Sequence, residues 1–411
     1  MRWLLEVWRA AGAVRAEGAD IRAVTVWSLL GAHDWDSLVT RPAGHYEPGV
    51  FDLRGPRPRP TGLAGLVRDL AAEVEPRHAV LGSPGWWRRP DRLCYSHARE
   101  EPTPERDADD CRPLLIVVGG AIGRAFARLC LARGLSHRQM TSAGMDNARP
   151  DAVAAALGRF RPWAVVNAGG YACVDGAERD RAGCRRQNAL GPAVLASACA
   201  RAGVRLLTLS TDLVFDGSRR AAYKKEDAVN PLGVYGEMKV RAERAVRRLL
   251  ADALVVGAGA FFGPDDESNF VSHALRTLAA GERVVAADDL TVSPTYLPDL
   301  VHACLDLLID GERGVWHLAN PGEATWAELA RAAARGVGLD QARVEGRPAS
   351  AFGWAARRPS YSVLGSERGI LLPPLEDALG RFLCQRPPIQ RPQPDIVPAL
   401  VVADNCPVAV G

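Results

Sequence analysis

From Pro113 onward the 411-residue chain alternates short apolar runs with segments of helical spacing, and this alternation constrains its fold more than any other feature. "LLIVV" (114–118) leads straight into Gly119, Gly120 and Gly123. Behind it Ile122, Phe126 and Leu129 recur at the interval of one helix face. "WAVVNAGG" and "VRLLTLSTD" are two further aliphatic runs, and "ALVVGAGAFFG" reads as a fourth strand. Between the second and third runs, "RRQNALGPAVLASACARAG" reads as a helix closed by Gly203. Strands that are apolar on both sides lie in a sheet covered on both faces, and the alternation makes that sheet parallel and doubly wound. In such α/β folds ligands sit at the carboxyl ends of the strands. Asn167, Ser210, Thr211 and Asp212 cluster there.

The bulk numbers exclude several classes. A net charge of +3, with 24% charged residues interspersed in sign, provides no basic stripe for nucleic acid. No stretch approaches the roughly 18 continuous apolar residues of a membrane span. Glu6 and Arg9 interrupt the first apolar run, so it makes a poor signal peptide. Nine cysteines, an odd number without a CxxC pair, read as buried free thiols in a reducing compartment rather than as a disulfide framework or a metal site. The expected setting is cytoplasmic, with no metal. Three textures follow one another: residues 1–75 with helical patches around a Gly/Pro-rich middle, a linker-like 76–112, and the alternating region 113–383. The tail from Cys384 is expected to be disordered.

Three groups of residues can carry chemistry. A glycine-rich turn between strand and helix lets backbone amides approach a pyrophosphate. "VVGGAIG" has that form, although Val117 stands where a first glycine would be, and a tight turn without a ligand is the alternative. A Thr211 hydroxyl at a strand end can donate to a carbonyl oxygen, and a helix cap is an equal alternative. Tyr235 and Lys239 lie four apart and share a helix face. An ammonium nearby lowers a phenol's pKa, which lets tyrosine act as general acid to a forming alkoxide. The chain has three lysines against forty-eight arginines, so a lysine here is telling, and the pair is read as catalytic.

Taken together, "GGAIGRAF", "MDNARPDAV", "RPWAVVNAGGYACVDGAE", "QNALGPAVLASACA", "LSTDLVFDG", "YGEMK", "VSPTYLPDLV" and "RPSYSVL" resemble the dTDP-4-dehydrorhamnose reductase family of extended short-chain dehydrogenases/reductases. The resemblance implies a Rossmann-type domain with a smaller C-terminal substrate lobe. It also implies NAD(P)H-dependent reduction of the 4-keto group of a nucleotide-linked 6-deoxysugar, usually with NADPH. By position, Thr211 would polarise the keto oxygen, Tyr235 would protonate it, Lys239 would hold the ribose, and Asp212 would bind substrate. Gly119, Gly120, Ala121, Ile122 and Gly123 would line the pyrophosphate. Asp146 and Asn147 would lie at the adenine side, and Gly170, Tyr171 and Ala172 at the nicotinamide half. A homodimer is left open.

Three departures accompany the resemblance: the missing first glycine, the run Gly257–Ala258–Gly259 where relatives carry Arg-Thr-Ser, and "TSAG", which offers no arginine for a 2′-phosphate and so leaves NADH open. A non-catalytic nucleotide-sugar or partner-binding module on the same fold is the competing expectation.

Residues 1–75 resemble the end of a family 1 glycoside hydrolase. "IRAVTVWSLLGAHDWDSLV" is similar to its last barrel strand, with Trp27, His33, Asp34 and Trp35 at the sugar loop, and "RPRPTGLAGLVRDLA" to its closing helix. An α/β-barrel fragment is therefore expected. It should have no glycosidase activity, because the two carboxylates of that family lie on earlier barrel strands.

Overall fold

The computed structural model describes residues 1–35, 37, 40, 44–89, 112–117, 120–141, 145–264 and 266–385. The expected disordered tail lies, after Gln385, outside the described residues.

Helix α1 (Arg2–Ala16) packs on α2 (Gly62–Ala71) through Leu5, Leu66 and Leu70. Thr61 caps α2, its hydroxyl accepting from the Leu63 amide. The only strands in this segment, among the described residues, are two-residue antiparallel pairs, Ala32–His33 with Tyr46–Glu47 and Phe51–Asp52 with Arg59–Pro60. The expected barrel strand is absent as a parallel element. A parallel barrel strand needs a ladder on both edges, and this segment has none to join.

The segment packs on the region that follows. The Asp52 carboxylate, 1% exposed, accepts from Arg54 and Arg59. Arg59 reaches on to Asp310 at 2.6 Å, and the second Asp310 oxygen accepts the Gly62 amide at 2.7 Å. Burial alone would raise the pKa of Asp52. The two guanidiniums more than offset it and hold the group at about 2. Residues 76–89, within the segment expected as linker, include the turns Ala79–Gly82 and Trp86–Arg88, with the Trp87 indole donating to Glu6.

From Leu114 the expected alternation appears. Six parallel strands, β1 (Leu114–Val117), β2 (His137–Met140), β3 (Ala164–Asn167), β4 (Arg205–Thr211), β5 (Leu254–Ala258) and β6 (Gly314–His317), form one sheet in the order β2-β1-β3-β4-β5-β6. Helices α3 (Gly120–Arg133) and α10 (Leu297–Asp310) cover one face, and α4 (Pro150–Phe160), α7 (Gly191–Ala202) and α8 (Val234–Leu249) the other. The two cores divide along each strand with period two. Leu114, Ile116, Ala164, Val166, Leu254 and Val256 point into one, and Leu115, Val117, Val165 and Val255 into the other. This is why the strands read as unbroken apolar runs.

The helix expected over 185–203 is preceded by a short helix (Arg181–Arg185) and a π-helical turn (Arg186–Leu190), and closes at Gly203 with φ +61. The strand expected through "ALVVGAGAFFG" stops at Ala258. Ala260 takes a left-handed φ of +48, and a separate two-residue strand, Phe261–Phe262, follows. A smaller lobe gathers α9 (Phe270–Ala279), α11 (Trp326–Gly336), α12 (Leu375–Gln385) and the parallel pair Val284–Ala287/Val344–Arg347 around Phe262, Leu275, Tyr296 and Phe382. No helix among the described residues is long and apolar enough to cross a membrane.

Candidate active site

The topology puts β2 on one side of β1 and β3 on the other, opening a crevice at their carboxyl ends. Gly120 opens α3 there with φ +52, and a Cβ on it would meet nothing within 4 Å. Ala121, Ile122 and Gly123 complete the first turn, while Gly119 lies outside the described residues. A helix N-terminus that opens on a glycine in this way fits a pyrophosphate, because backbone amides can approach the anion closely.

After β2, Asp146 accepts the Ala148 amide and pairs with the Arg186 guanidinium. Asn147 packs beneath Gly191. Of "TSAG", residues 142–144 lie outside the described residues; the guanidinium at this edge comes from Arg186, far along the chain. After β3, Gly170, Tyr171 and Ala172 are held by Asn188. Its amide accepts the Tyr171 N–H at 2.8 Å and donates to the Tyr171 carbonyl at 2.9 Å. The π-helical turn aims Asn188 at this loop, and π-turns concentrate at functional positions. The motif "QNALG" contained this residue without marking its role.

Thr211 ends β4 and Asp212 follows it. Tyr235 and Lys239 occupy one face of α8, with the Lys239 ammonium 5.7 Å from the Tyr235 ring centroid and donating to the Leu209 carbonyl at 3.3 Å. Two features bring α8 to β4. Gly236 lies so close to the Asp212–Val214 turn that a Cβ would stand 2.2 Å from the Leu213 carbonyl oxygen. The Glu178 carboxylate also accepts the Val234 amide at 2.7 Å, capping a helix whose own Gly233 supplies no side chain. Thr211, Asp212 and Tyr235 thus line one cavity with Ala258, Gly259, Phe270, Trp326, Trp354, Arg358 and Ser362. The large lobe supplies Thr211 and Tyr235, and the small lobe supplies Phe270 and Trp326.

The electrostatics differ from expectation in one respect. Tyr235 and Lys239 are partly exposed as residues, yet burial of their polar ends dominates both acidities. The Tyr235 phenol is pushed up, first by burial and then by the Asp212 carboxyl, and not lowered by Lys239. Desolvation brings the Lys239 ammonium down to about 8. A phenol held protonated is the acid form that a reduction requires. Glu243, one turn beyond Lys239, hydrogen-bonds the Ser210 hydroxyl and is raised by burial.

Asp212 also departs from expectation. It is 6% exposed, accepts from the Thr211 hydroxyl at 3.1 Å and from Ser362 at 2.6 Å, and its pKa is raised by burial. Both carboxyl oxygens are therefore engaged within the protein. The glycines that replace the expected Arg-Thr-Ser are places of contact. A Cβ on Gly257 would meet the His317 ring at 2.9 Å, and one on Gly259 the Asp212 carboxylate at 2.2 Å.

Comparison with known proteins gives a consistent picture. Residues 113–377 match the family model described as RmlD substrate binding domain. A dTDP-4-dehydrorhamnose reductase of Mycolicibacterium smegmatis is 36% identical over 300 residues, covering 72% of this chain and 90% of that protein. One of Mycobacterium tuberculosis is 38% identical over 266 residues, covering 63% and 86%. Among solved structures, the dTDP-4-dehydrorhamnose reductase of Bacillus anthracis in complex with NADP superimposes with a TM-score of 0.63 at 25% identity, covering 67% of this chain and 100% of that one.

Proposed function

The chain belongs to the dTDP-4-dehydrorhamnose reductase family, and on that premise we propose that it reduces the 4-keto group of a dTDP-linked 6-deoxyhexose with NADPH. The observation that carries the reading is the meeting of Thr211, Tyr235 and Lys239 where β4 and α8 converge, beside the open N-terminus of α3.

When bound, the nicotinamide supplies the hydride. The chain's residues bind, orient and move a proton. In this reading the first turn of α3 (Gly120–Gly123, with Gly119 before it) receives the pyrophosphate, Asp146 and Asn147 the adenine side, and Gly170–Ala172 the nicotinamide half. The Tyr235 phenol, protonated through neutral pH, donates its proton to the oxygen that becomes the alcohol. The Thr211 hydroxyl, whose single proton rests on Asp212 Oδ1 in the free protein, turns that proton to the same oxygen and stabilises its developing charge. Lys239 hydrogen-bonds the ribose and fixes the ring of Tyr235. Phe270 and Trp326 give the cavity an aromatic wall against which a sugar ring can pack.

Substitution of Tyr235 by Phe tests this reading. NADPH consumption with a dTDP-4-keto-6-deoxyhexose should fall at least a hundredfold, with NADPH binding retained. Wild-type protein that binds NADPH but turns over no such sugar would favour a non-catalytic binding module on the same fold. For the rest of the chain the proposal is a division into 1–75, a connection over 76–112, the reductase over 113–383 and a tail. Residues 1–75 would then be a glycoside-hydrolase remnant, a reading supported by the helix that forms at Gly62–Ala71 within the segment read as the closing helix. A homodimer in the cytoplasm completes the proposal.

A further inference from the structure

Asp212 touches three parts of the molecule. Its Oδ1 accepts the Thr211 hydroxyl at 3.1 Å, and Thr211 in turn accepts the Leu213 amide at 3.2 Å. Its Oδ2 accepts the Ser362 hydroxyl at 2.6 Å, across 150 positions of sequence, from the segment that leads out of the small lobe. Its third neighbour is Gly259, at the break after β5. The three atoms nearest to a Cβ on Gly259 all belong to the Asp212 carboxyl group, at 2.2, 2.5 and 3.0 Å. Gly259 is not among the glycines with positive φ, so its backbone would accept alanine and only the carboxyl group stands in the way.

We infer that Asp212 is a positioning residue: its carboxyl group ties the end of β4 to the Ser362 segment and orients the Thr211 hydroxyl, and Gly259 is glycine in order to admit it. A side chain at 259 would have no room, and Ser362 supplies the second donor to Asp212. Each Asp212 oxygen is engaged by a protein donor, which fixes the orientation of the carboxyl group. Its effect on substrate runs through Thr211, where an error of about 1 Å in a catalytic group is costly.

The kinetic part of the test rests on the reductase reading, and the thermal part does not. Gly259→Ala should lower kcat about tenfold or more with little change in KM for the dTDP-4-keto sugar, because a contact made in the transition state is misaligned. The same substitution in an Asp212→Ala background should cost nothing further, since the group it collides with is gone. Melting temperature should follow the same cycle, dropping with Gly259→Ala in the native background and not in the Asp212→Ala background. If Gly259→Ala fails to fold, recovery of folding in the double variant is the same rescue. An equal cost in both backgrounds would overturn the inference. So would an Asp212→Ala protein with raised KM and unchanged kcat, the mark of direct sugar binding. If the wild type reduces no dTDP-4-keto sugar, the reductase reading fails, and the melting cycle still decides whether Asp212 and Gly259 are coupled.

Discussion

Lys239 sets the pH behaviour expected of the site. Burial lowers its ammonium to about 8 from an ordinary value of 10.5, so the charge that holds the ribose is lost on the alkaline side of neutrality. The rate should be flat towards acid and fall as pH rises through about 8, read from kcat against pH at saturating NADPH. Stability runs the other way. A lowered folded value means that the unfolded chain binds more protons between about 8 and 10.5, so this residue's contribution to stability grows with pH across that window. Lys239→Met should abolish the alkaline limb of the rate profile and weaken NADPH binding. The Tyr235–Lys239 pair was legible in the sequence because its spacing alone places both on one helix face. The rise in the phenol's pKa was not legible, because it comes from burial and from Asp212, which only the fold brings near.

At the scale of elements, the reactive tyrosine depends on where α8 begins. Gly233 leaves the first amides of the helix without a side-chain cap, and Glu178 from α5 (Val174–Arg179) accepts the Val234 amide instead. Glu178→Ala should cost about 1 kcal/mol of stability, seen in urea unfolding, and should lower kcat more than it raises KM for NADPH, because Tyr235 lies in the turn that is released. The close approach at Gly236 predicts a harsher result for Gly236→Ala. Its Cβ would push α8 off the Leu213 carbonyl and separate Tyr235 from Thr211. Such contacts leave little trace in a sequence. "YG" could be read as a motif, but the carbonyl that requires the glycine is 23 positions earlier in the chain, in an element placed by β4.

At the scale of the molecule, the N-terminal segment packs far from the chemistry. The last turn of α3 and the end of α10 lie towards the amino ends of the strands, and both are contacted from it: Arg2 donates to the Arg133 and Gly134 carbonyls, and Arg59 pairs with Asp310. Asp52 is the hub of that contact. Its depressed value gives a contribution to stability that is present above about pH 4 and lost as pH falls towards about 2. Asp52→Asn should leave two half-buried guanidiniums undercompensated and cost about 3 kcal/mol. Limited proteolysis should then release residues 1–89 faster, with turnover of the remaining domain little changed.

By itself, the sequence determined the layered α/β architecture, because unbroken aliphatic runs alternating with helical spacing leave a chain few other ways to bury its apolar surface. Local spacing likewise determined the Tyr235–Lys239 pair and the polar residues at the strand ends. The tertiary structure alone decided how Asp212 is used, why positions 236 and 259 exclude a side chain, which residue caps α8, and where the first ninety residues pack. Each of these depends on atoms from distant parts of the chain meeting at contact distance, and no local pattern encodes such a meeting.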